Sequence, residues 1–345
     1  MSMSFVACMD VDSSSATPGG PTPEATGHRP VLLHPLIQSL QPRPGQTFVD
    51  GTLGAGGYVA AFLERVRPGG RVLAIDRDPA ALAAARERFA DDRDALILVR
   101  GDFAAMEAAA AAHGITSVDG VTLDLGISSV QLDDPSRGFS FRVDGPLDMR
   151  MDPHGDRSAE WIVNEWTEAD LAALVRVYGE ERFARPIAAA IVRSRATSPV
   201  VTTAQLREIV ERTIPRRFWP KRIHPATRTF QALRIEVNHE LESLTSGLQA
   251  AIRILRPGGR LGVVSFHSLE DTIVKNTLHV AAQNCLCPPQ QTHCTCAHRA
   301  SLLLLSRKAI KPDAGELAVN PRSRSARLRV AEKLDDAGPD VRRSP

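Results

Sequence analysis

The sequence has 345 residues, of which 43% are hydrophobic and 24% charged, proportions that are ordinary for globular proteins and allow a sizeable buried core. Its formal net charge of +2 excludes a protein whose whole surface attracts nucleic acid, so any basic patch must be local. The sequence has no apolar run long enough to span a membrane, no signal-peptide pattern and no scattered cysteine framework, so we expect a cytoplasmic protein.

Residues 1–27 contain acids, a run of serines and two prolines, and they predict a disordered tail. After this tail, short β-rich runs alternate with helical patterns. The predicted strands cover 47–50, 71–76, 96–99 and 120–124. The first predicted helix begins near Tyr58 and ends at Pro68-Gly69-Gly70. Two further helices are predicted at 79–90 and 106–112. Alternating units of this length predict an α/β fold with a doubly wound parallel sheet and helices on both faces.

This alternation stops after the fourth strand. From 136 to 236 the sequence has several helical patterns but no convincing buried strand, and 238–255 predicts a long helix that ends at Arg256-Pro257-Gly258-Gly259. Strands that resume the sheet are predicted at 261–266, 302–305 and 326–330. The expected domains are a Rossmann-like domain from 28–135 and 237–333, a helical insertion at 136–236 that serves as a substrate domain, and a disordered tail at 334–345.

A glycine-rich turn follows the first predicted strand, with the sequence Asp50-Gly51-Thr52-Leu53-Gly54-Ala55-Gly56-Gly57. Glycines let the backbone turn sharply and approach a ligand, and this position faces the crevice of an open α/β sheet. The spacing fails the dinucleotide fingerprint, which requires glycine where Val59 stands. Asp76, at the end of the second strand, can accept both ribose hydroxyls of an adenosine, and Phe103 can pack on the adenine. The alternatives are a nicotinamide-binding domain, a helix N-cap role for Asp76 and a core position for Phe103.

A long polar segment, Asp124 to Asp152, follows the fourth strand, and its length favours a functional loop. Six further motifs accompany it: His28-Arg29-Pro30-Val31-Leu32-Leu33, the glycine turn after Asp50, Tyr178-Gly179-Glu180-Glu181, the run from His224 to Arg234, the run from Ser265 to Asp271, and Asn320-Pro321-Arg322-Ser323-Arg324-Ser325. On these residues the chain resembles, over 28–333, the ribosomal RNA small subunit methyltransferase H family. Members of that family methylate the N4 amine of a decoding-centre (P-site) cytidine in 16S rRNA.

The resemblance implies a class I methyltransferase (Rossmann-like) fold, S-adenosyl-L-methionine as the cofactor, and 16S rRNA or the small ribosomal subunit as the partner. It places the cofactor contacts on Gly56, Gly57, Tyr58, Asp76, Phe103, Asp124 and Gln131. The family usually has histidine where this chain has Tyr58, so the backbone N–H is kept and any role of an imidazole is lost. Neither a membrane nor DNA is expected as a partner, and the formation of a homodimer stays open.

Two other functions would use part of the same pattern. A DNA amino-methyltransferase usually carries a Pro-Pro-aromatic motif after the fourth strand, where this chain has Asp124-Leu125-Gly126. A non-catalytic RNA-binding or assembly factor that retains the fold is the second alternative. The intact cofactor residues argue against that second function, although binding alone does not establish turnover.

The resemblance also suggests which residues take part in methyl transfer. Asp124 is the first candidate for orienting the amino group of the cofactor or the incoming amine. His267 follows the fifth strand and is a candidate proton acceptor. Ser128 and Ser129 can position the edge of the base. The alternatives are a helix cap for the two serines and a structural role for His267.

The insertion carries a local concentration of positive charge. Its basic residues between Arg212 and Ile235 are Arg212, Arg216, Arg217, Lys221, Arg222, Arg228 and Arg234. Phe218 and Trp219 lie among them and can stack on an unstacked base. A second basic group near the end of the chain, which can pair with phosphates, contains Arg322, Arg324, Arg327 and Arg329. The alternative for both groups is a solvated face, with the aromatic residues in the core.

Four of the five cysteines form two close pairs, Cys285-x-Cys287 and Cys294-x-Cys296. Four thiolates can make a tetrahedral zinc site, but a spacer of one residue is tighter than the usual two to four. Free thiols in a mobile loop are the alternative. The sequence therefore assigns no metal to this cluster.

Overall fold

The computed structural model describes residues 30–288, 290–291 and 293–335. The predicted tail at 1–27, and positions 336–345 of the second one, lie outside these described residues. Within them, seven strands form one sheet. The strands are β1 (Thr47–Asp50), β2 (Arg71–Asp76), β3 (Leu96–Arg100), β4 (Val118–Asp124), β5 (Leu255–Ser265), β6 (Leu302–Leu304) and β7 (Arg327–Lys333). Their order across the sheet is β3-β2-β1-β4-β5-β7-β6.

The sheet is mixed, which differs from the prediction of a parallel sheet. β1 to β5 pair in parallel, with β1 between β2 and β4. β7 runs antiparallel to β5, with Leu261 opposite Ala331, and it is also antiparallel to β6. The reversal arises because the chain reaches the edge strand β6 first and then returns to fill the position beside β5. Hydrophobic pattern alone does not reveal the direction of such an edge pair.

Helices cover both faces of the sheet and also form the insertion. They are α1 (Leu33–Leu40), α2 (Gly57–Val66), α3 (Pro79–Arg88), α4 (Met106–Ala112), α5 (Ser129–Asp133), α6 (Ala159–Glu165), α7 (Glu168–Val177), α8 (Ala184–Arg195), α9 (Thr203–Thr213), α10 (Thr227–Val237), α11 (Glu240–Ile254), α12 (Ser268–Ala281) and α13 (Ala314–Val319). Short 3₁₀ helices lie at Ala90–Asp92, Phe103–Ala105, Pro135–Arg137, Arg216–Phe218 and Pro321–Ser325.

Two hydrophobic cores lie on opposite faces of the sheet because successive residues of a strand point in opposite directions. Phe48 of β1 packs in the core that α1, α2 and α3 cover, and it stacks on Phe62 with 4.8 Å between ring centroids. The next residue, Val49, packs in the core that α4, α11 and α12 cover. Full burial of a side chain such as Phe62 stabilises the fold by roughly 1.5–3 kcal/mol.

The insertion has a hydrophobic core of its own. This third core contains buried residues from Phe139 to Leu233, contributed by α6 to α10 and by the loop that follows α5. The helix predicted at 238–255 corresponds to α11, which begins two residues later than predicted. Asn238 and His239 separate α11 from α10, and His239 has a left-handed φ of 50°. The segment predicted to end that helix instead begins β5, where the register with β4 shifts between Val118 and Gly120.

Candidate functional site

A cavity of about 410 Å³ opens at the carboxyl ends of β1, β2 and β4. Parallel strands of an open α/β sheet place their carboxyl ends at one edge, and ligands bind in the crevice outside that edge. Asp76 of β2 and Asp124 of β4 both line the cavity. The other side is formed by α11 and α12, which contribute Glu240 and Glu270. This site therefore lies where the sequence predicts a nucleoside ligand.

The turn after β1 is held by carboxylates from two neighbouring strands. The backbone N–H of Thr52 donates to Asp50 Oδ1 at 3.0 Å, and the N–H of Gly54 donates to Asp76 Oδ2 at 2.8 Å. Gly51 is required for packing, because a Cβ there would lie within 2.9 Å of atoms of Leu123 and Phe103. The glycine signal in this turn therefore reflects contact with protein side chains as well as room for a ligand.

Asp76 anchors the turn and also faces the cavity. Its Oδ1 accepts a hydrogen bond from the N–H of Asp78 at 2.9 Å. Each carboxylate oxygen has two acceptor positions, so these two backbone bonds leave capacity for a ligand hydroxyl. Burial raises the pKa of Asp76 above its ordinary value. A ligand that donates hydrogen bonds to this carboxylate would offset part of that cost.

Two further carboxyl groups lie at the ends of β1 and β4, and each has one oxygen without a partner among the described residues. Asp50 Oδ2 and Asp124 Oδ1 are buried and have no hydrogen-bond partner among the described residues. Burial, followed by the charge of Asp76, raises the pKa of Asp50 to about 7. Burial, followed by the charges of Asp50 and Glu270, raises the pKa of Asp124 well above its ordinary value. Unpaired buried acids of this kind favour a ligand that carries positive charge and N–H donors.

The long polar loop after β4 is anchored by Arg137. This guanidinium pairs with Asp78 at 2.7 Å and also donates to the carbonyl oxygens of Arg150 and Met151. Asn238 holds the same loop from the junction of α10 and α11, because its amide donates to Met149 O and accepts from Met151 N. These contacts connect the insertion to the cavity. Neither role could be predicted from the sequence, because the partners of both residues are distant in the chain.

Among the predicted site residues, one group lines the cavity: Asp76, Phe103, Asp124 and Gln131. Gln131 also forms a capping box with Ser128 and donates to Asp78 at 2.8 Å, so it orders the loop as well. Ser128 is the N-cap of α5, as the structural alternative proposed, although both Ser128 and Ser129 line the cavity.

The other predicted cofactor contacts, Gly56, Gly57 and Tyr58, are not among the lining residues. Gly57 lies against the ring of Pro30. The Tyr58 ring is buried, and its hydroxyl donates to the carbonyl of Val31. Tyr58 therefore uses its side chain inside the protein. A contact between the cofactor and these three residues stays a prediction.

His267 sits behind the cavity, beside Glu270. It is the N-cap of α12, and its Nδ1 accepts from the N–H of Glu270 at 3.4 Å, while its Nε2 lies 3.1 Å from Glu270 Oε1. Glu270 lines the cavity and His267 does not. Burial raises the pKa of Glu270, but the hydrogen bond and charge of His267, with the charge of Arg234, bring it below its ordinary value.

Arg234 and Glu240 form a second charged pair in the cavity wall. The Arg234 guanidinium donates to both oxygens of Glu240, at 2.7 and 2.8 Å. Ligand atoms of Glu240, His267 and Glu270 lie within 4.8 Å of one another. Because Arg234 offsets part of this negative charge, the group forms an ion-pair network. The acidic residues at the start of α11 and α12 are the feature of the sequence that could have indicated this network.

The basic residues of the insertion divide into paired and unpaired groups. Arg212 pairs with Glu208, Arg228 with Glu181 and Arg234 with Glu240. The rest form no ion pair with any described residue and are exposed; we call them the basic strip: Arg216, Arg217, Lys221 and Arg222. The ring of Phe218 lies beside the strip and is 38% exposed. Trp219 is instead partly buried and donates its Nε1–H to Ile214 O at 2.8 Å.

The second predicted basic group is mostly neutralised by acids. Arg327 and Arg329 both pair with Asp271, at 2.5 and 2.7 Å. Arg322 pairs with Asp133 at 2.6 Å. These three arginines use their charge within the protein, and their pairing with phosphates stays a prediction. Arg324 forms no ion pair with a described residue.

Comparison with known proteins identifies the family. Residues 25–334 match the model of the MraW methylase family. The chain belongs to the MraW methylase family. Two similar proteins are both named ribosomal RNA small subunit methyltransferase H. The one from Trichlorobacter lovleyi is 48% identical over 307 residues, which are 89% of this chain and 98% of that protein. The one from Thermomicrobium roseum is 50% identical over 316 residues, which are 92% of this chain and 96% of that protein.

This methylase has the class I methyltransferase fold that the sequence predicts, and the order of its strands agrees with that fold. Its cofactor is S-adenosyl-L-methionine, and the cavity fits that molecule. The cofactor carries a sulfonium and an ammonium group, and the acids Asp76 and Asp124 in the lining of the cavity suit a ligand of that charge. Within the described residues, no helix is long and apolar enough to cross a membrane.

Proposed function

We propose that this methylase transfers a methyl group to the N4 amine of a decoding-centre cytidine in 16S rRNA, within the small ribosomal subunit. The names of the similar proteins from Trichlorobacter lovleyi and Thermomicrobium roseum support an rRNA substrate. The structural observation that carries the proposal is the carboxylate of Asp124, which lines the cavity at the end of β4 and whose Oδ1 has no partner among the described residues. An exocyclic amine is the kind of donor that such an oxygen requires. A ribosomal substrate would place the enzyme in the cytoplasm.

The proposed cofactor contacts follow the lining of the cavity. Asp76 accepts the ribose hydroxyls, and Phe103, which is partly buried in the wall, packs on the adenine. Gln131 orders the loop that closes over the cofactor. Gly57 and Tyr58 contribute backbone N–H groups at the start of α2, where helical amides lack partners within the helix. The N–H of Gly56 donates to Leu53 O at 2.7 Å, so Gly56 contributes a close approach of the backbone to the cofactor.

When bound, the cofactor supplies an electrophilic methyl group on its sulfonium. The chain must then orient a weak nucleophile, since the lone pair of the cytosine amine is delocalised into the ring. Asp124 accepts an N–H of that amine and holds its nitrogen in line, which makes the reaction effectively intramolecular. We propose that Glu270, which faces the cavity, takes up the released proton, and that His267 behind it assists by donating its Nε2–H to this carboxylate and holding it in place.

The insertion at 136–236 is proposed as the RNA-binding domain. A base within a folded RNA must leave its stack to reach a cavity of this kind. The basic strip can contact the phosphates, and Phe218 can stack on a neighbouring base. Arg137 and Asn238 anchor the loop after β4, and this would fix the position of the insertion relative to the cavity.

The experiment that tests this function is a transfer assay with purified enzyme. Small subunits and naked 16S rRNA, both lacking the modification, are incubated with a cofactor that carries a deuterated methyl group. The RNA is digested to nucleosides and analysed by mass spectrometry. Deuterated N4-methylcytidine is expected, and an Asp124→Ala enzyme should form much less of it. A label on any other nucleoside, or no transfer to either substrate, would exclude the proposal.

A further inference from the structure

The described part of the segment between α12 and β6 has no hydrophobic core. Residues 282–301 contain neither helix nor strand in their described part, and none of the described residues there is buried. Loops of this length inside a compact domain are usually functional or held by another constraint. Of the residues described in 282–301, none lines the cavity at the strand ends. A different interaction must therefore hold it, and its four cysteines are the candidates.

The four sulfur atoms converge on a single point. The Sγ atom of Cys285 lies 3.4 Å from that of Cys294 and 3.8 Å from that of Cys296, and the sulfurs of Cys294 and Cys296 are 3.6 Å apart. Cys287 completes the group, and all four sulfurs lie within 4.8 Å of one another. In a tetrahedral zinc site with Zn–S bonds of about 2.3 Å, neighbouring sulfurs are about 3.8 Å apart. The observed spacing therefore matches the edges of such a tetrahedron.

The same distances argue against two disulfides. All four thiols are free, and Cys285 lies near two other sulfurs. A disulfide requires one sulfur at about 2.05 Å and excludes a second partner. The single-residue spacers are compatible with convergence, because residues two apart in an extended chain face the same side. The tight spacing in the sequence is thus not an obstacle to four-fold coordination.

Backbone amides point at the sulfurs as they do around anionic thiolates. The N–H of Leu286 donates to Cys296 Sγ at 3.3 Å, and the N–H of Thr295 donates to Cys287 Sγ at 3.4 Å. Cys285 Sγ accepts from the N–H of Cys287 at 3.4 Å. Hydrogen bonds from outside the ligand set orient the ligands and tune a metal site.

We propose that Cys285, Cys287, Cys294 and Cys296 bind one zinc ion with a structural role. Four thiolates fill the tetrahedron and leave no open position, which is the arrangement of structural zinc sites. Binding replaces four S–H protons, which are released to solvent, and involves no oxidation or reduction. Nearby His298 is not needed as a ligand, because its Nε2 faces the carbonyl oxygen of Val280 at 3.0 Å.

The zinc ion would secure the edge of the sheet. It ties the end of α12 to the start of β6, beside the hydrogen bond from Ser301 N–H to Ala281 O at 2.8 Å. Because the described part of the segment buries no side chain of its own, the free energy of metal binding would be the main source of its order. Loss of the metal should loosen this edge while the cavity keeps its lining.

The test measures metal content and coordination in the full-length protein. Wild type and Cys8→Ser, which changes the one cysteine outside the cluster, should each hold close to one zinc per chain by mass spectrometry of the metal. The double variant Cys287→Ser with Cys294→Ser should hold little or none. Replacement by cobalt(II) should give the visible bands of a tetrahedral thiolate site in wild type only. X-ray absorption should show only sulfur neighbours, at about 2.3 Å.

Several results would overturn the proposal. They are a zinc-free wild-type protein that also fails to bind cobalt(II), disulfides among the four cysteines in non-reducing peptide mapping, or iron in place of zinc. If the double variant does not fold, chelation of the wild type decides: its melting temperature should fall and recover on adding zinc. Affinity for S-adenosyl-L-methionine is measured in parallel and should not depend on zinc, so failure of this proposal is distinct from failure of the proposed function.

Discussion

The hydroxyl of Thr52 accepts a hydrogen bond from the backbone N–H of Asp124, with 2.7 Å between Oγ1 and N. The same hydroxyl lies 3.5 Å from Asp50 Oδ1, to which it can donate. Thr52 therefore connects the turn after β1 to the end of β4, and it sets the position of the residue proposed to orient the amine. This role of Thr52 could not be predicted from the sequence, because the contact joins residues that are distant in the chain.

Replacement of Thr52 by valine should reduce methyl transfer more than cofactor binding. Valine keeps the shape of the side chain but leaves the buried N–H of Asp124 without its partner, at a cost of about 1–3 kcal/mol. We expect a lower kcat with a smaller change in the Kd of the cofactor, measured by turnover and calorimetry. Thr52→Ser, which retains the hydroxyl, should stay near wild type. Equal kcat values for the valine and serine variants would show that this contact is unimportant.

Asp76→Ala should weaken cofactor binding. The substitution removes the proposed ribose acceptor and also leaves the N–H of Gly54 without its partner. We expect a loss of roughly 1–3 kcal/mol in binding free energy by calorimetry. Asp91→Ala, which removes an exposed acid outside the cavity, is the matched control and should bind normally. Wild-type affinity in Asp76→Ala would remove this residue from the cofactor site.

Cofactor binding should release protons below about pH 7. Burial raises the pKa of Asp50 to about 7 in the free site, and a bound cation favours the ionised carboxylate. Affinity should therefore rise as pH increases towards that value, and fall below it by at most about tenfold per pH unit for each proton released. Calorimetry in buffers of different ionisation enthalpy counts these protons.

Two comparisons isolate the cause of that pH dependence. S-adenosylhomocysteine lacks the sulfonium charge and should release fewer protons, and Asp50→Asn should flatten the profile for the cofactor itself. Equal proton release by the two ligands would mean that the buried acids do not respond to the sulfonium.

Removing the basic strip should weaken RNA binding and flatten its dependence on salt. For single-stranded RNA, each lost phosphate contact reduces the slope of log affinity against log salt by about 0.7. The variant replaces Arg216, Arg217, Lys221 and Arg222 by alanine. The control replaces four exposed arginines without an ion pair among the described residues, Arg43, Arg71, Arg86 and Arg93. The same slope in the strip variant and in wild type would mean that RNA binds at another surface.

Much of the fold follows from local pattern. Buried strands such as β2 are short apolar runs bounded by breakers, and the acids at their carboxyl ends fall at the edge where parallel strands meet. Asp76 and Asp124 could therefore be placed in one cavity without knowledge of the structure. Strand direction at the sheet edge could not, because β7 pairs with β5 only after the chain has folded.

Which charged residues form ion pairs with one another could not be predicted from the sequence. Arg327 and Arg329 look like a phosphate-binding pair in the sequence, yet both contact Asp271, which is 56 and 58 residues away. The basic strip has no such partner among the described residues, although its composition is similar. Which arginines stay available for RNA depends on tertiary contacts, and the number of basic residues in a segment does not reveal it.

The most direct test of the proposed cofactor site is a crystal structure of the protein with S-adenosyl-L-methionine bound. We predict that the ribose hydroxyls contact Asp76, that the adenine lies against Phe103, and that the methyl group points towards Asp124 at the end of β4. A cofactor bound outside this cavity, or a cavity in which Asp76 and Asp124 make no contact with it, would contradict the account.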